Sequence, residues 1–488
     1  MSLPDLIEIV PLAQPVRAEI TVPGSKSITN RALILAALAE GEVTLTGALW
    51  SEDTQIMTEC LQELGFMVDV RPDPNEACNR TITVYGKGGV VPPGGTESQP
   101  MELFVGNAGT AARFLAAFVC LGKGVYRLHG VPRMHERPQA ALFKALRELG
   151  YRVEAEQGNE KLPVRIFGGG ETERGSVSRS TPENQNAIVG SEHVQPGEAA
   201  AGHRPAPRPQ RRCTVSIEQS SQFASALLLC SKTGGWQVEI AGENAEESPY
   251  VAMTSKMVEV FPKRGGTFQI EPDASSGSYF WAIDWILWVT RLNSEMGQVT
   301  VKNWPETAWQ IDTEYPKYRN FLEGKDVLSR KTDLGDSIMT AIVKAPFNRK
   351  PQTNQFVFPD KNKARIIGPS KPIKFTDLGR LRVQETERVF ALKSELLKCG
   401  VKVEEQGDEL IVYPGIRSPR EPIETYNDHR MAMCFAIVGL KVAGIKLKNP
   451  SCVKKTFPNF FQKLSDLGVT ILDAKSRQVL TRAELFAE

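Results

Sequence analysis

The sequence predicts an α/β protein built from two similar domains. Two patterns alternate along its 488 residues. In the first, a short polar cluster is followed at once by a helix of small and apolar residues. In the second, an amphipathic helix ends at a glycine and leads into a β-prone run. Strands interleaved with helices of these two kinds are typical of an α/β repeat architecture, and the length suits two domains.

The first pattern occurs six times. Its polar clusters begin at Pro23, Gly106, Ser220, Asp273, Gly335 and Asn427. Each following helix is apolar nearly all round, so we expect each to be buried. Six units divide most simply into three and three, which gives the two domains. Where the buried helices run parallel, their N-termini converge on one surface, and two facing surfaces would form a cleft that attracts anions.

The second pattern is marked by glycines at helix ends. These are Gly65, Gly150, Gly400 and Gly468, which stand where a left-handed C′ residue closes a helix. Leucines three and four positions apart mark the buried face of each helix. Runs such as Thr81–Tyr85 and Leu410–Tyr413 follow as predicted strands.

Three segments do not fit these patterns. Residues 171–211 are rich in polar residues, Pro, Ser and Arg, and we expect a mobile surface insertion within the second domain. Residues 288–333 are mixed in composition and are expected to be ordered in part. Residues 346–374 are rich in Pro, Lys and Asn and are typical of a loop.

Composition excludes several classes of protein. A net charge of +2 gives no bulk attraction to nucleic acid or to a membrane surface. The eight cysteines are scattered without a C-x-x-C pair, which indicates buried thiols in a reducing compartment. We expect no signal peptide, because the first residues lack a basic segment followed by a long apolar run, and no apolar run approaches about 20 residues. We therefore expect a cytoplasmic protein.

The stretch Pro23–Arg31, reading P-G-S-K-S-I-T-N-R, predicts an anion site. A helix expected from Ala32 would present free backbone N–H groups, and Lys26 and Arg31 add positive charge. Ser25, Ser27 and Thr29 add hydroxyl donors. Taken alone, the stretch is about equally consistent with an ordinary capped helix carrying surface basic residues.

Basic residues recur near the polar ends of the buried helices. They are Lys26, Arg31, Arg113, Arg137, Arg388, Arg430 and Lys455. Any one of them could pair with a neighbouring carboxylate such as Glu136 or Glu387, but together they favour a bound anion, because the helix dipole disfavours cations at helix starts.

Fewer acidic residues than basic ones lie near the polar ends of the buried helices. Asp336 and Glu385 are the candidates for proton transfer. Asp273, Asp428 and Glu136 are candidates for helix caps. His429 could titrate near neutral pH, although a lone histidine is more often structural.

The residues alone therefore predict a cleft that binds one or two small, highly anionic ligands. Lys, Arg, Asp and Glu would carry out its chemistry, with no metal and no cofactor. No Ser-His-Asp arrangement, H-E-x-x-H, P-loop or dinucleotide loop is found.

Eight motifs, in order, resemble those of the 5-enolpyruvylshikimate-3-phosphate synthase family. They are P-G-S-K-S-I-T-N-R, L-F-V-G-N-A-G-T-A-A-R, P-R-M-H-E-R-P, S-S-Q-F-A-S-A-L-L-L, E-P-D-A-S-S-G-S-Y-F, L-R-V-Q-E-T-E-R, Y-N-D-H-R-M-A-M-C-F and K-K-T-F-P-N-F-F. The resemblance runs from about residue 7 to about residue 470. It implies two domains, each of three βαβαββ units with parallel buried helices (an inside-out α/β barrel), and an active site in the cleft between them. Domain I would comprise residues 1–20 and 265–488, and domain II residues 21–264.

The resemblance also implies an enzyme. It would transfer the enolpyruvyl group of phosphoenolpyruvate to the 5-hydroxyl of shikimate 3-phosphate and release phosphate. The family works by addition and elimination through a tetrahedral intermediate, without metal or cofactor, on the pathway to chorismate and the aromatic amino acids. The expected partners are the two small substrates, with no nucleic acid and no membrane, and we expect a monomer.

Roles for individual residues follow from matching motif positions. Asp336 would remove the proton of the 5-hydroxyl, Glu385 would donate one to the methylene carbon, and Lys26 would contact both substrates and assist proton transfer. Shikimate 3-phosphate would be bound by Lys26, Ser27, Arg31, Ser220, Ser221, Gln222, Ser248, Asp336 and Gln384. Phosphoenolpyruvate would be bound by Lys26, Asn107, Gly109, Thr110, Arg137, Gln222, Arg388, Arg430 and Lys455.

Three positions depart from the family pattern. Gln384 stands where the family usually has Lys, which weakens one contact to the shikimate phosphate. Glu247 places a carboxylate beside that phosphate, unless Ser248 takes the role. Phe114 replaces the usual proline after the loop arginine. Gly109 is retained, so we expect glyphosate to fit.

Two alternatives stay open from the sequence. One is UDP-N-acetylglucosamine enolpyruvyl transferase, which shares the fold, but no matching loop cysteine is found near residues 120–140. The other is an inactive relative that binds shikimate-like ligands, which Gln384 and Glu247 would favour. The presence of Lys26, Asp336, Glu385, Arg430 and Lys455 argues against it.

Overall fold

The computed structural model describes residues 3–14, 16–169, 211–242, 248–288, 298–318, 325–348 and 371–487. Its α-helices are α1 (Lys26–Leu38), α2 (Glu52–Glu63), α3 (Gly109–Phe118), α4 (Pro132–Glu136), α5 (Ala140–Glu148), α6 (Ser221–Gly234), α7 (Pro249–Val260), α8 (Ala274–Trp288), α9 (Ile338–Lys344), α10 (Arg388–Lys398), α11 (His429–Gly439) and α12 (Phe460–Asp466). Short 3₁₀ helices cover Val119–Leu121, Ile311–Tyr318, Ala345–Phe347, Gly379–Val383 and Pro450–Lys455.

The strands are short. They are β1 (Leu6–Ile9), β2 (Arg17–Ile20), β3 (Glu40–Leu49), β4 (Val68–Pro72), β5 (Asn79–Lys87), β6 (Met101–Phe104), β7 (Gly124–His129), β8 (Arg152–Ala155), β9 (Val164–Gly168), β10 (Arg211–Ser216), β11 (Trp236–Ala241), β12 (Gly266–Gln269), β13 (Gln298–Val301), β14 (Val327–Ser329), β15 (Ile373–Thr376), β16 (Val403–Gln406), β17 (Glu409–Val412), β18 (Lys446–Lys448) and β19 (Ile471–Asp473).

The sheets repeat one pattern of pairing. Three four-stranded sheets run β12-β3-β5-β4, β6-β7-β9-β8 and β14-β15-β17-β16. In each, the first pair of strands is parallel and the other two pairs are antiparallel. Smaller sheets are formed by β10-β11, β13-β2 and β18-β1-β19. The repeated units that the sequence predicts are therefore present.

Buried apolar side chains form two separate clusters. The first, here named the discontinuous core, takes its members from residues 3–22 and 279–487. The second, the continuous core, takes its members from residues 28–270. The chain crosses between them twice, side by side, since Ser25 N donates to Glu271 O at 2.7 Å and Asp273 N to Pro23 O at 2.8 Å.

The six predicted apolar helices are confirmed, three to each core. Helices α1, α3 and α6 contact one another in the continuous core, and α8, α9 and α11 do so in the discontinuous core. Two boundaries differ from the prediction. Helix α1 begins at Lys26 rather than at Ala32, so the cation lies in its first turn. Helix α9 begins at Ile338, which leaves Asp336 in the preceding turn.

The four helix-closing glycines are confirmed. Gly65, Gly150, Gly400 and Gly468 all have φ between +67° and +87°, a conformation that disfavours a side chain. The predicted strands over 81–85 and 410–413 correspond to β5 and β17. Helices α4 and α7 carry neither repeated pattern and were not predicted.

The segments outside the patterns are described only in part. Nearly all of the insertion at 171–211 lies outside the described residues. Within 288–333 the structure describes β13, the 3₁₀ helix at Ile311–Tyr318 and β14. All eight cysteines fall within the described ranges and are buried as free thiols, as predicted. Over the part of the chain described, no helix has both the length and the apolar character to cross a bilayer.

Candidate active site

A cleft lies where the N-terminal ends of the buried helices from the two cores meet. One wall carries Lys26 and Ser27 of α1 with Ser221 of α6, and the other carries Asp336 and Arg430. The walls touch directly, because Lys455 Nζ of the discontinuous core donates to Asn107 O of the opposite wall at 3.4 Å. The predicted convergence of helix ends is therefore present.

Lys26 is held by a carboxylate that the sequence did not single out. Its Nζ lies 2.9 Å from Oδ2 of Asp53, in the first turn of α2. Lys455 Nζ lies 4.0 Å from the other oxygen of Asp53. Burial acts to lower the pKa of Lys26, but the charges of Asp53 and Glu385 outweigh it and raise that pKa. Lys26 is therefore a cation.

Glu385 lies among cations at the inner end of the cleft. Its Oε2 is 2.8 Å from Arg388 Nη2, and its Oε1 is 3.6 Å from Lys455 Nζ. Burial acts to raise the pKa of Glu385, but the charges of Arg388, Lys455, Arg137 and Lys26 outweigh it and hold the pKa well below its usual range. Glu385 is therefore ionised in this arrangement of charges.

Arg388 is only 1% exposed and is fixed by Asp428. Its Nε donates to Asp428 Oδ2 at 2.7 Å, and its Nη2 to Oδ1 at 3.2 Å. Asp428 also accepts from Arg430 N at 2.8 Å and so caps α11, as the sequence suggested. One carboxylate therefore positions the starts of two elements of the site.

Asp336 is surrounded by three arginines. Arg330 Nη2 donates to its Oδ1 at 2.7 Å, while Arg430 Nη2 and Arg388 Nη1 lie 3.2 and 3.9 Å from its Oδ2. Burial acts to raise the pKa of Asp336, yet the charges of Arg430, Arg330 and Arg388 lower it far below its usual value. Asp336 is ionised, as a general base requires.

Hydroxyl and amide groups line the other end of the cleft. Ser220 caps α6 by accepting from Gln222 N at 3.2 Å, and Gln222 Nε2 donates to Thr110 Oγ1 at 3.2 Å. Ser221 Oγ accepts from Arg380 Nη1 at 3.2 Å. These groups can donate to a phosphate without adding negative charge.

The loop before α3 presents a tight cationic corner. Asn107 O accepts from Arg137 Nη1 at 3.2 Å, and Gly109 O accepts from Arg113 Nη1 at 3.0 Å. A Cβ at Gly109 would lie 2.5 Å from Arg113 Nη1 and 2.6 Å from Arg137 Nη2. Glycine at this position is therefore what lets the loop and both guanidinium groups come together.

The other residues predicted to bind shikimate 3-phosphate lie farther from the centre of the cleft or support it indirectly. Arg31 donates to Ser27 O, Ser225 Oγ and Thr254 Oγ1, and its guanidinium carbon lies 5.2 Å from the centroid of the buried Phe114 ring. Arg31 thus supports Ser27 from behind. Ser248 lines an adjoining outer cavity. Glu247 lies outside the described residues.

Gln384 and His429 have well-defined surroundings in the cleft. Gln384 Oε1 accepts from Arg388 Nη1 at 2.5 Å, and its Nε2 lies 3.5 Å from Asp336 Oδ1. It therefore contributes a neutral amide between the two charged groups. His429 is buried, and burial with the nearby Arg430 charge holds its pKa well below its usual value. It is therefore neutral, which agrees with the structural role that the sequence favoured for this histidine over titration near neutral pH.

Three charged residues were missed from the sequence: Asp53, Arg330 and Arg380. Asp53 could have been found as an acidic residue in the first turn of a predicted helix, where it stabilises the dipole. Arg330 follows β14, and Arg380 lies in the 3₁₀ helix Gly379–Val383. Both are in segments without a periodic signal, so only the fold brings them to the cleft.

Comparisons with known proteins match this chain to one enzyme family over nearly its whole length. A sequence model of the family described as EPSP synthase (3-phosphoshikimate 1-carboxyvinyltransferase) matches residues 11–182 and 258–464. The 3-phosphoshikimate 1-carboxyvinyltransferase of Trichormus variabilis is 33% identical over 491 residues, covering 94% of this chain and 98% of that one. The Rhizobium etli protein of the same name is 32% identical, covering 96% and 98%.

Two solved structures share the fold. EPSP synthase from Acinetobacter baumannii superposes with a TM-score of 0.65 at 18% identity, covering 98% of this chain and 100% of that one. The enolpyruvyl transferase NikO from Streptomyces tendae gives a TM-score of 0.59 at 12% identity, covering 99% and 100%. The two-domain α/β architecture is thus common to all three.

Proposed function

The chain belongs to the EPSP synthase family, and we propose that its cleft transfers the enolpyruvyl group of phosphoenolpyruvate to the 5-hydroxyl of shikimate 3-phosphate, with release of phosphate. The activity is that of a 3-phosphoshikimate 1-carboxyvinyltransferase in the biosynthesis of aromatic amino acids. The roles given below to single residues are our proposal.

One observation carries the assignment of roles. Two ionised carboxylates, Asp336 and Glu385, share a single cleft with Lys26, Arg430 and Lys455. The substrates bring two phosphates and a carboxylate, and cations at fixed positions stabilise the charge of both ground state and transition state. Hydroxyl groups at the opposite end of the cleft suit the shikimate phosphate.

Asp336 acts first. Its carboxylate takes the proton of the 5-hydroxyl as that oxygen bonds to the central carbon of phosphoenolpyruvate. Glu385 donates a proton to the methylene carbon in the same addition, which gives the tetrahedral intermediate. In the elimination, the carboxylate of Glu385 takes a proton back from the new methyl group as phosphate leaves. Asp336 gives up the proton that it took from the 5-hydroxyl, and the released phosphate carries that proton away as hydrogen phosphate.

Glu385 must be protonated before it can act as an acid. In the empty cleft its pKa is held low by Arg388, Lys455, Arg137 and Lys26, after the opposing effect of burial. Anionic substrates neutralise these same cations and exclude water, so substrate binding raises the pKa of Glu385. Lys26, which is protonated beside Asp53, then faces the leaving phosphate oxygen.

The wider organisation is proposed on the same basis. Two separate cores joined by adjacent crossings support two domains close to those expected, residues 1–20 with 265–488 and residues 21–264. They favour crossings near Pro23–Ser25 and Glu271–Asp273, because Val22 lies in the discontinuous core and Ile270 in the continuous core. The net charge of +2 supports small anionic substrates rather than nucleic acid or a membrane. We propose a cytoplasmic monomer that acts on these two substrates.

Steady-state phosphate release tests the proposal. The unsubstituted chain should release phosphate only when both substrates are present, and Asp336→Ala should lose at least ~100-fold in kcat. Asp69→Ala, which removes an exposed carboxylate paired with Arg71, is the matched control and should leave kcat unchanged.

Other outcomes separate the alternatives. A folded chain that binds shikimate 3-phosphate but releases no phosphate would be an inactive relative, with Gln384 and Glu247 as the first suspects. Release that requires UDP-N-acetylglucosamine in place of shikimate 3-phosphate would identify the related transferase.

A further inference from the structure

Arg330 and Arg380 line the cleft, yet none of the roles above uses them. Both lie on the border between the main cleft and the adjoining outer cavity, beside Tyr250. Arg330 is 9% exposed. Two guanidinium groups in a largely buried position need a reason, because like charges removed from water raise the free energy of the empty protein.

Arg380 has neutral partners within the described residues. Its Nη1 donates to Ser221 Oγ at 3.2 Å, and its Nη2 donates to Ile217 O. Burial, followed by the nearby charge of Arg330, lowers the pKa of Arg380. The charge of Arg380 is therefore only partly compensated. Its side chain also contacts Ser221 at the end of the cleft that is lined by hydroxyl groups, where it would stabilise an anion.

Arg330 is only partly satisfied. Its Nη2 donates to Asp336 Oδ1 at 2.7 Å, but its Nε is buried with no hydrogen-bond partner. An unpaired buried donor raises the free energy of the folded protein, because it has lost its hydrogen bonds to water. A further acceptor at this position would remove that cost.

The contact with Asp336 also conflicts with catalysis. A carboxylate that faces three guanidinium groups is a poor acceptor for an alcohol proton, because each cation stabilises its ionised form. Arg388 is anchored by Asp428 and Glu385, and Arg430 is also stabilised by the nearby Tyr279 and Asp273. Arg330 is the one of the three whose remaining donor is unsatisfied, so it is the one that a bound dianion can draw away.

We propose that Arg330 is a positioning residue that exchanges partners: it holds Asp336 in the empty cleft and turns to the phosphate of shikimate 3-phosphate when that substrate binds beside Arg380. This inference rests on the proposed function. The exchange leaves Asp336 with one cation fewer, so the base gains proton affinity only in the loaded cleft. It also supplies the shikimate phosphate with positive charge that Gln384 cannot give.

Several other groups face Asp336 and stay in place during the exchange. They are Arg430 of α11, Arg388 of α10, Asp312 of the 3₁₀ helix Ile311–Tyr318, Tyr250 of α7 and Gln384. A test must therefore report on Arg330 and the phosphate together, and not on charge in the cleft as a whole.

The ratio of the Kd for shikimate to the Kd for shikimate 3-phosphate isolates the phosphate, and calorimetry measures both. In Arg330→Gln the ratio should fall at least ~10-fold, since a charge-assisted contact is lost, while the Kd for shikimate changes little. Arg330→Lys should recover part of the ratio. Lys256→Gln removes an exposed cation of α7 and should leave the ratio unchanged.

A second variant tests the exchange itself. Asp336→Asn releases Arg330 in advance, so it should raise the ratio, and it should fail to do so in the double variant Arg330→Gln/Asp336→Asn. An equal rise with and without Arg330 would overturn the exchange. Equal weakening of both ligands in Arg330→Gln would mark a purely structural residue and would also overturn it.

The proposed function and the role of Arg330 can be rejected independently of each other. If the unsubstituted chain turns over both substrates while Arg330→Gln keeps the ratio, only this inference is lost. If the unsubstituted chain neither binds shikimate 3-phosphate nor releases phosphate, the proposed function is lost as well.

Discussion

Lys26 and Asp53 form an ion pair of 2.9 Å across the starts of α1 and α2, and the carboxylate is almost fully removed from solvent. Asp53 also lies 4.0 Å from Lys455, which belongs to the other core. A single acidic side chain thus supports a cation on each wall of the cleft.

This pair predicts a pH effect. Burial lowers the pKa of Lys26 and Asp53 raises it, so the protonated form persists to higher pH than usual. In Asp53→Asn burial is left with less opposition, the pKa falls, and the basic limb of kcat/KM should move to lower pH. Rates measured up to about pH 10 test this. Glu52→Gln, in the same helical turn, is the control, and an unmoved limb in Asp53→Asn would contradict the assignment.

Glu385 is predicted to act on the chemical step. Glu385→Gln cannot exchange the proton of the methylene carbon, so kcat should fall by ~10²–10⁴. Glu387→Gln is the matched control, because Glu387 caps α10 and pairs with Arg382 away from the substrates. That variant should lose about 1 kcal/mol of stability but keep kcat. Similar kcat losses in both variants would point to a disturbed loop.

Gly109 is predicted to control the affinity for phosphoenolpyruvate. In Gly109→Ala the new methyl group would meet the guanidinium groups of Arg113 and Arg137 at 2.5–2.6 Å, and they would have to move. Loss of one charge-assisted contact corresponds to a rise of ~10-fold or more in KM for phosphoenolpyruvate. The KM for shikimate 3-phosphate serves as the internal control, and a rise in that constant alone would refute the placement.

Glyphosate should inhibit the enzyme by competing with phosphoenolpyruvate. Gly109 leaves the corner beside Arg137 open, and Phe114 packs beneath Arg31 rather than into the cleft. Initial rates should fall at glyphosate concentrations on the order of 1 mM and recover with added phosphoenolpyruvate. A rate that does not respond to glyphosate would show that the corner is closed to it.

Glu76 is predicted to matter for stability. It is 4% exposed, and it accepts from Lys463 Nζ at 2.7 Å, from Asn459 Nδ2 at 2.7 Å and from Thr21 Oγ1 at 2.6 Å. Glu76→Ala leaves Lys463 without its carboxylate and should cost about 3–5 kcal/mol in urea unfolding. Glu97→Ala, which breaks an exposed pair with Arg152, should cost under ~1 kcal/mol. Equal costs would contradict the role given to burial.

The repeated patterns predicted the six buried helices and the glycine-closed helices, because both depend on local periodicity and on conformations that few residues adopt. In the cluster around Asp336, only the residues that belong to motifs could be predicted. Arg388 and Arg430 belong to motifs, whereas Arg330 lies in a turn after a three-residue strand. Its position depends on β14 pairing with β15, a contact across a long stretch of sequence that no local pattern reveals.

Local pattern also says little about charge state. The sequence left open whether His429 titrates near neutral pH, and burial together with the charge of Arg430 lowers its pKa and keeps the ring neutral. Local pattern does not single out Asp53, and only the approach of Lys26 and Lys455 makes it part of the cleft. Proton affinities in such a site are set by neighbours from several elements, and the sequence does not state which elements meet.

The pairing of β1 has a consequence for the order of events on the ribosome. This strand emerges early, yet its partners are β18 and β19, near the other end of the chain. The residues of the continuous core, by contrast, all emerge between these two ends and can pack as soon as they are synthesised. The nascent chain should therefore carry an unpartnered β1 until β18 and β19 have been synthesised, by which time the continuous core can already be folded.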